Sequence, residues 1–200
     1  MSNLPTTASD LNESVNPEEL GVFRCARMLV LFAVAKRDGR RLASVDRLAF
    51  YDFFADSPWV VVSGERRIDI ADARALKVAG FSQTQLSYAS TGPRFASRRQ
   101  RVQFDLAQLV AYGLVSSEGA EYEITELGQD REQRMYSSYA DAYRVSAGIV
   151  LRRLSSLSLT RLQTSVEEWI GHSWLLLDLL DDVRGAELPI AIETTAQKDE

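Results

Sequence analysis

Two hundred residues make one compact domain, or two small ones, at the usual ~100–200 residues per domain. The 46% hydrophobic and 26% charged shares are those of an ordinary globular chain, and 23 cationic against 28 acidic residues leave a net charge of −5, which speaks against general coating of nucleic acid. One cysteine, Cys25, excludes an intrachain disulfide, and with the single histidine, His172, it excludes the usual Cys/His zinc sites. The longest apolar run, Met28–Ala35, falls far short of the ~18 residues of a membrane span, and no apolar signal core opens the chain. The expectation is a cytoplasmic protein with no metal, no cofactor, no membrane contact and no small-molecule substrate.

Residues 1–15 carry Ser, Thr, Asn and acid without apolar period and read as a flexible tail. Asn16-Pro17-Glu18-Glu19 is a helix start: asparagine caps, proline fits the first turn and two acids complement the dipole. That helix runs to about Lys36, with Gly39 ending it. Ser44 caps a second helix, Val45–Ala55, apolar around most of its circumference and therefore buried on more than one side. Asp56-Ser57-Pro58 closes it, Trp59–Val62 reads as extended, and Asp69–Val78 as a short helix ending at Gly80.

Ser82–Pro93 has turn composition and reads as a loop. Arg98–Tyr112 then places Val102, Leu106, Leu109 and Val110 on one helical face, and Gly113 stops it. Leu114–Ser117, Glu118-Gly119 and Ala120–Thr125 read as strand, turn, strand, and Thr125 opens the next helix. A helix followed at once by a hairpin looks like the end of a winged helix-turn-helix domain, with the hairpin as wing.

Beyond residue 129 the pattern is wholly helical. Tyr136, Ala140, Tyr143, Ala147, Val150, Leu154 and Leu157 alternate spacings of four and three, and Leu159, Leu162, Val166, Trp169, Ser173, Leu176, Leu180 and Val183 continue them. The short connector Ser155–Ser158 predicts an antiparallel helical hairpin. The predicted fold is thus mainly α (α+β). A winged helix-turn-helix domain spans 16–129, a helical hairpin 130–184, and a flexible acidic tail 185–200.

Nothing here points to catalysis. No lysine follows a glycine, so no phosphate loop exists, and His172 lies among Trp169 and Trp174 as a packing or interface residue rather than a base. Asp178, Asp181 and Asp182 suit partner arginines better than a metal cage, and Cys25 reads as a small core residue. All cations except Lys36, Lys77 and Lys198 are arginines, a bias that suits bidentate recognition and that a GC-rich genome also produces. Arg94, Arg98, Arg99 and Arg101, before and in the helix preceding the wing, are candidate contacts for nucleic acid or for an acidic partner, with docking favoured by the acidic balance. Trp169 and Trp174 lie on different helix faces and cannot share one two-helix seam, so with Arg152 and Arg153 they are candidate docking residues.

Asp46-Arg47-Leu48-Ala49-Phe50-Tyr51-Asp52-Phe53-Phe54, with Ser57-Pro58 after it, follows a helix bearing Arg24 and Arg27 and precedes the Gly-Leu-Val…Tyr-x-Ile-Thr hairpin. Over about Pro17 to Tyr139 this resembles the middle component of ABC-type three-component systems, bacterial anti-phage systems related to Lamassu. The resemblance implies a non-catalytic subunit that docks on an SMC/Rad50-like ABC ATPase, links it to an effector such as a nuclease, and assists in sensing DNA. In build it is similar to the winged-helix subunits of condensin-like complexes. Tyr51 and Asp52 stand as either functional or structural, with Asp52 capping or pairing inside the fold. The alternative is a stand-alone winged-helix transcription regulator that binds DNA.

Overall fold

The computed structural model describes residues 17–62, 64–83 and 91–170. Pro17–Glu19 forms a 3-10 turn, followed by α1 (Gly21–Arg37), β1 (Leu42–Ala43), α2 (Val45–Asp56), a second 3-10 turn (Pro58–Val60) and α3 (Arg67–Val78). Then come α4 (Thr91–Ala111), β2 (Val115–Glu118), β3 (Glu121–Ile124), α5 (Glu126–Gln133), α6 (Ser138–Leu154) and α7 (Leu159–Ile170). The molecule is mainly helical with one small antiparallel sheet of order β1-β3-β2.

Local chemistry accounts for most of the boundaries. Ser44 Oγ accepts from the Arg47 N–H, Thr125 Oγ1 from Gly128, Ser137 Oγ from Ala140 and Ser158 Oγ from Arg161, so four helices begin on hydroxyl caps. The β2–β3 hairpin closes through the two-residue turn Gly119-Ala120, where Gly119 takes φ +64°, a conformation that favours glycine. Leu42 pairs with Tyr122 and Ala43 with Glu121, which adds a third strand too short for a periodic signal.

One buried cluster joins all seven helices except α3 and α5, and it includes strand residues Leu42, Val115 and Ile124. At its centre Phe50 stacks on Phe95 at 5.2 Å and Phe53 meets the same ring edge-on, which seats α4 on α2. Helix α6 packs chiefly on α1 and α2. The seam residues Ala140, Tyr143, Ala147, Val150 and Leu154 are buried there, so this stripe faces the body of the molecule and the cluster crosses the boundary expected at 129/130. Leu162 and Val166 of α7 are fully buried in the same cluster. Helix α3 stands apart on a small second cluster of Trp59, Val62, Leu76 and Ile149.

Several expectations need correction. The chain does not enter α1 at Pro17. The carbonyls of Glu18 and Glu19 accept from Arg24, and Glu18 also receives Arg27 and Arg98, so the acids serve as ion-pair partners and α1 starts unaided after Leu20. Trp59–Val62 is not extended: Pro58 opens a 3-10 turn, and the N–H groups of Val61 and Val62 both donate to its carbonyl at 3.0 Å. Helix α4 begins at Thr91 rather than Arg98, because proline is tolerated in a first helical turn and Gly92-Pro93 occupies that position. Tyr136 lies outside α6, 88% exposed, because the helix starts only after the Ser137 cap. The readings for the N-terminal tail and for 171–200 lie outside the described residues.

Gly128 carries the closest approach. A Cβ there would overlap the Leu114 carbonyl oxygen, and Ile124 Cγ1 lies 2.7 Å from the same point. Gly128→Ala should therefore push α5 off the hairpin and cost about 1–3 kcal/mol, the usual range for overpacking. Urea unfolding of the two proteins checks it; a change below about 0.5 kcal/mol, the size of an ordinary surface substitution, would contradict the contact.

Candidate functional site

The densest polar constellation surrounds Asp52, whose residue is 1% exposed in the middle of α2. Helix spacing turns Asp52 inward between Phe50 and Phe53, toward α1, α4 and α6. Arg27 of α1 donates to both carboxylate oxygens through Nε and Nη2, each at 2.9 Å. Tyr143 Oη of α6 donates to Oδ1 at 2.9 Å. From α4, Arg98 Nε lies 3.6 Å from Oδ2, and its Nη1 donates to the Asp52 carbonyl at 3.3 Å. Arg98 also pairs with Asp56 at 3.1 Å and Glu18 at 2.9 Å, and Arg27 completes its set with Glu18.

Electrostatics follow from this packing. Burial pulls both guanidiniums toward the neutral form, but the carboxylates of Asp52 and Glu18 outweigh it, with Asp56 also acting on Arg98, and both stay above the ordinary arginine value. Burial, reinforced by the Asp52 carboxylate, pushes the Tyr143 phenol well above its usual range and holds it as a donor. Three donors converge on the Asp52 carboxylate inside the core. This cluster anchors the fold. Removing one partner of a buried pair leaves an uncompensated charge, which costs about 3–5 kcal/mol.

That assignment divides the four arginines read from the sequence. Arg98 is 6% exposed and committed to the interior. Arg99 pairs with Asp46 at 3.2 Å, and its side chain is only partly exposed. Arg101 is exposed and donates to the Glu18 carbonyl at 3.3 Å. Arg94 lies in α4, and its side chain is outside the described residues. Arg27, Tyr143 and the Arg24–Asp105 pair (2.8 Å) were not singled out as a constellation by the sequence reading. Their signals in the sequence are the position of Arg24 and Arg27 on the first helix and of Tyr143 on the apolar seam of the later one.

Arg152 and Arg153 hold α3 to α6. Arg153 reaches Asp69 and Asp72 at 2.7 Å each, and Arg152, more exposed, joins Asp72. Trp169 packs edge-on against Phe54 at 5.5 Å, so it is attached to the domain body. Trp174, His172 and Asp178, Asp181 and Asp182 lie outside the described residues. Tyr51 Oη accepts from Arg47 at 3.0 Å. Cys25 is half-buried, and burial together with the Asp105 carboxylate pushes its thiol up, away from thiolate character.

The outer edge of α4 has a different composition. Phe104 is 61% exposed, and Arg101, Ala107 and Val110 are exposed beside it, while the acid of this stretch, Asp105, is buried. The N-terminal end of α1 lies alongside, with Leu20 and Val22 exposed and Cys25 Sγ against Gln108 at 3.3 Å. Among the described residues no group of three or more His, Cys, Asp or Glu is placed to hold a metal, and no helix is long and apolar enough to cross a membrane.

Two measurements check this electrostatic account. Asp52→Ala should lower the unfolding free energy by about 3–5 kcal/mol, read by denaturant unfolding; a loss under about 1 kcal/mol would mean that the cluster is dispensable. Hydrogen bonds from Arg66 and then Arg153 depress the Asp69 carboxyl to about 2. Its stabilising contribution is therefore complete above the unfolded value of about 3.9 and is lost as pH falls through about 2. Carbon-13 NMR titration should place the Asp69 midpoint near 2, and Arg153→Gln should raise it. A midpoint near 4 in the parent protein, the free-carboxyl value, would contradict the α3–α6 clamp.

No curated protein and no solved structure matches the chain. Residues 85–175 match the family model described as ABC-three component (ABC-3C) system Middle Component 2. The matched span takes in α4, the hairpin, α5, α6 and α7; of the residues that carry the resemblance it includes the hairpin and excludes Asp46–Phe54 and the helix bearing Arg24 and Arg27. That match supports the recognition of this chain as the middle component of an ABC-3C system.

Proposed function

We propose that the chain is the non-catalytic accessory subunit of its ABC-3C system, docking on an SMC/Rad50-like ABC ATPase and linking it to an effector. The family match supports an accessory role, and one observation carries the docking reading. The helix that would present bases with their contacts in a winged helix, α4, turns Arg98 inward, pairs Arg99 with Asp46, and exposes Phe104, Ala107 and Val110 around Arg101. DNA affinity rests on neutralising several phosphates, whereas a face that, among the described residues, exposes Phe104, Ala107 and Val110 with Gln100, Gln103 and Arg101 has the mixed composition of a protein interface. The order α1, β1, α2, α4, β2, β3, with β1 returning to pair with the hairpin, supports reading the body as a winged helix into which α3 is inserted. Such domains serve DNA and protein partners alike, so the exposed side chains decide.

The docking candidates divide in the same way. Arg152 keeps its side chain nearly half exposed while it holds Asp72, and so remains available to a partner. Arg153 and Trp169 support the surface from behind.

Co-expression with a candidate ATPase component of the same system tests the reading. The tagged chain should recover that ATPase, Phe104→Asp should weaken recovery, and the isolated chain should bind duplex DNA only weakly and without sequence preference. Tight, sequence-specific binding of duplex DNA by the isolated chain, with no recovery of the ATPase, would turn the assignment to the transcription-regulator alternative.

A further inference from the structure

On the face opposite α2, the end of α1, the loop after it, α3 and α6 enclose an open groove of about 530 Å³. A second depression of about 380 Å³ continues it toward α5 and shares Arg37 and Arg144 with it. Four arginines line the first groove: Arg37, Arg40, Arg144 and Arg152. Three of them have carboxylate partners. Arg37 meets Asp38 at 3.1 Å, Arg144 meets Glu132 and Asp141 at 2.7 Å each, and Arg152 meets Asp72.

Arg40 differs. Its Nη1 donates to the Ser155 hydroxyl, its Nε is buried with no hydrogen-bond partner, and no carboxylate among the described residues pairs with it. An unmet buried donor on a charged group is costly. The enclosed Nε is out of a ligand's reach, but Arg40 lines the groove and is only partly buried, so its uncompensated charge points to a ligand that brings a carboxylate to the groove wall.

The floor supports the same conclusion. Gly148 sits inside α6, where glycine costs about 1 kcal/mol relative to alanine. Packing does not require it: an added Cβ would meet only Arg37 Nη2 at 3.6 Å and Val34 Cγ1 at 3.9 Å, both ordinary contacts. The bare backbone leaves the groove open beside the 40% exposed Val145.

Charge decides the occupant. Asp38 and Asp72 stand in the same groove, so a run of phosphates would meet two carboxylates as well as the arginines. A single carboxylate on Arg40, with an apolar neighbour laid over Gly148 and Val145, meets one unmatched cation and an apolar floor. We propose that this groove receives a short segment of a partner component in which an aspartate or glutamate, paired with Arg40, stands beside an apolar side chain. The proposal rests on the accessory-subunit reading and identifies the surface and the chemistry of the segment it takes.

The test uses the full chain co-expressed separately with each candidate component of the same system, comparing the parent with Arg40→Gln, which removes the cation, and Gly148→Leu, which fills the floor and keeps every arginine. For the component that binds, both variants should weaken binding by about tenfold or more, as loss of an interface hot spot does, with unchanged melting temperatures. If one component binds the parent and both variants equally, the groove assignment is overturned while the accessory-subunit reading stands. Loss in Arg40→Gln alone also overturns it, because the floor is then unoccupied. If no component binds the parent, the accessory reading fails and the groove proposal with it. Binding of a duplex oligonucleotide that Arg40→Gln abolishes would replace the protein segment with nucleic acid.

Discussion

A single carboxylate, Asp52, is where four helices meet. Arg27 of α1, Arg98 of α4 and Tyr143 of α6 all aim their donors at one residue of α2. Apolar packing brings these helices together, since Phe32, Phe53, Phe54 and Phe95 are each worth about 1.5–3 kcal/mol when buried. Apolar contact is non-directional, however, and leaves a helix free to rotate about its axis. The charge cluster removes that freedom, because each guanidinium satisfies its carboxylates in only one rotation of its helix.

The rotation of α4 then determines which surface the molecule shows. With Arg98 and Asp105 turned inward, onto Asp52 and Arg24 respectively, the described outward face of α4 carries Phe104, Ala107 and Val110 beside Arg101, Gln100 and Gln103. The same economy operates at α3. Its apolar contact is small, with Leu76, Ala73 and Ala75 on the cluster of Trp59, Val62 and Ile149, and the clamp of Arg152 and Arg153 on Asp69 and Asp72 does the rest. Both carboxylates and most of Arg153 are buried, so solvent screens this clamp little, and only Arg152 keeps its side chain nearly half exposed. Helix α3 also borders the arginine-lined groove.

Caps, glycines and periodicity made most of the helices legible in the sequence. Ser44, Thr125 and Ser137 mark starts by hydroxyl chemistry, and the hairpin at 115–124 follows from a glycine turn between short apolar-edged runs. Strand β1 was not legible: two residues have no period, and their pairing to β3 is set by residues about eighty positions away. The arginines were visible but their destinations were not. Arg98 and Arg101 differ by three positions in a run of cations, and only the location of Asp52 and Glu18 separates a buried anchor from an exposed side chain. The seam of α6 was read correctly as apolar, yet periodicity cannot say what a stripe faces, and it faces α1 and α2. Arg40, the one arginine of the groove without a carboxylate partner among the described residues, has no sequence signal at all, because its distinction is the absence of a partner in space.

The most direct test of Asp52 as organising centre is a mutant cycle in apolar replacements. Arg27→Met, Asp52→Leu and Arg98→Met would be made singly and together, and unfolding free energies measured by denaturant titration. Each single change strands buried charge, while the triple change removes the three most buried charges together and leaves only the more exposed carboxylates of Glu18 and Asp56. The account requires the three single losses to sum to several kcal/mol more than the loss in the triple variant, roughly the 3–5 kcal/mol of one broken buried pair. Losses that add within about 0.5 kcal/mol, as independent sites do, would show that the three residues act separately and that apolar packing alone orients the helices.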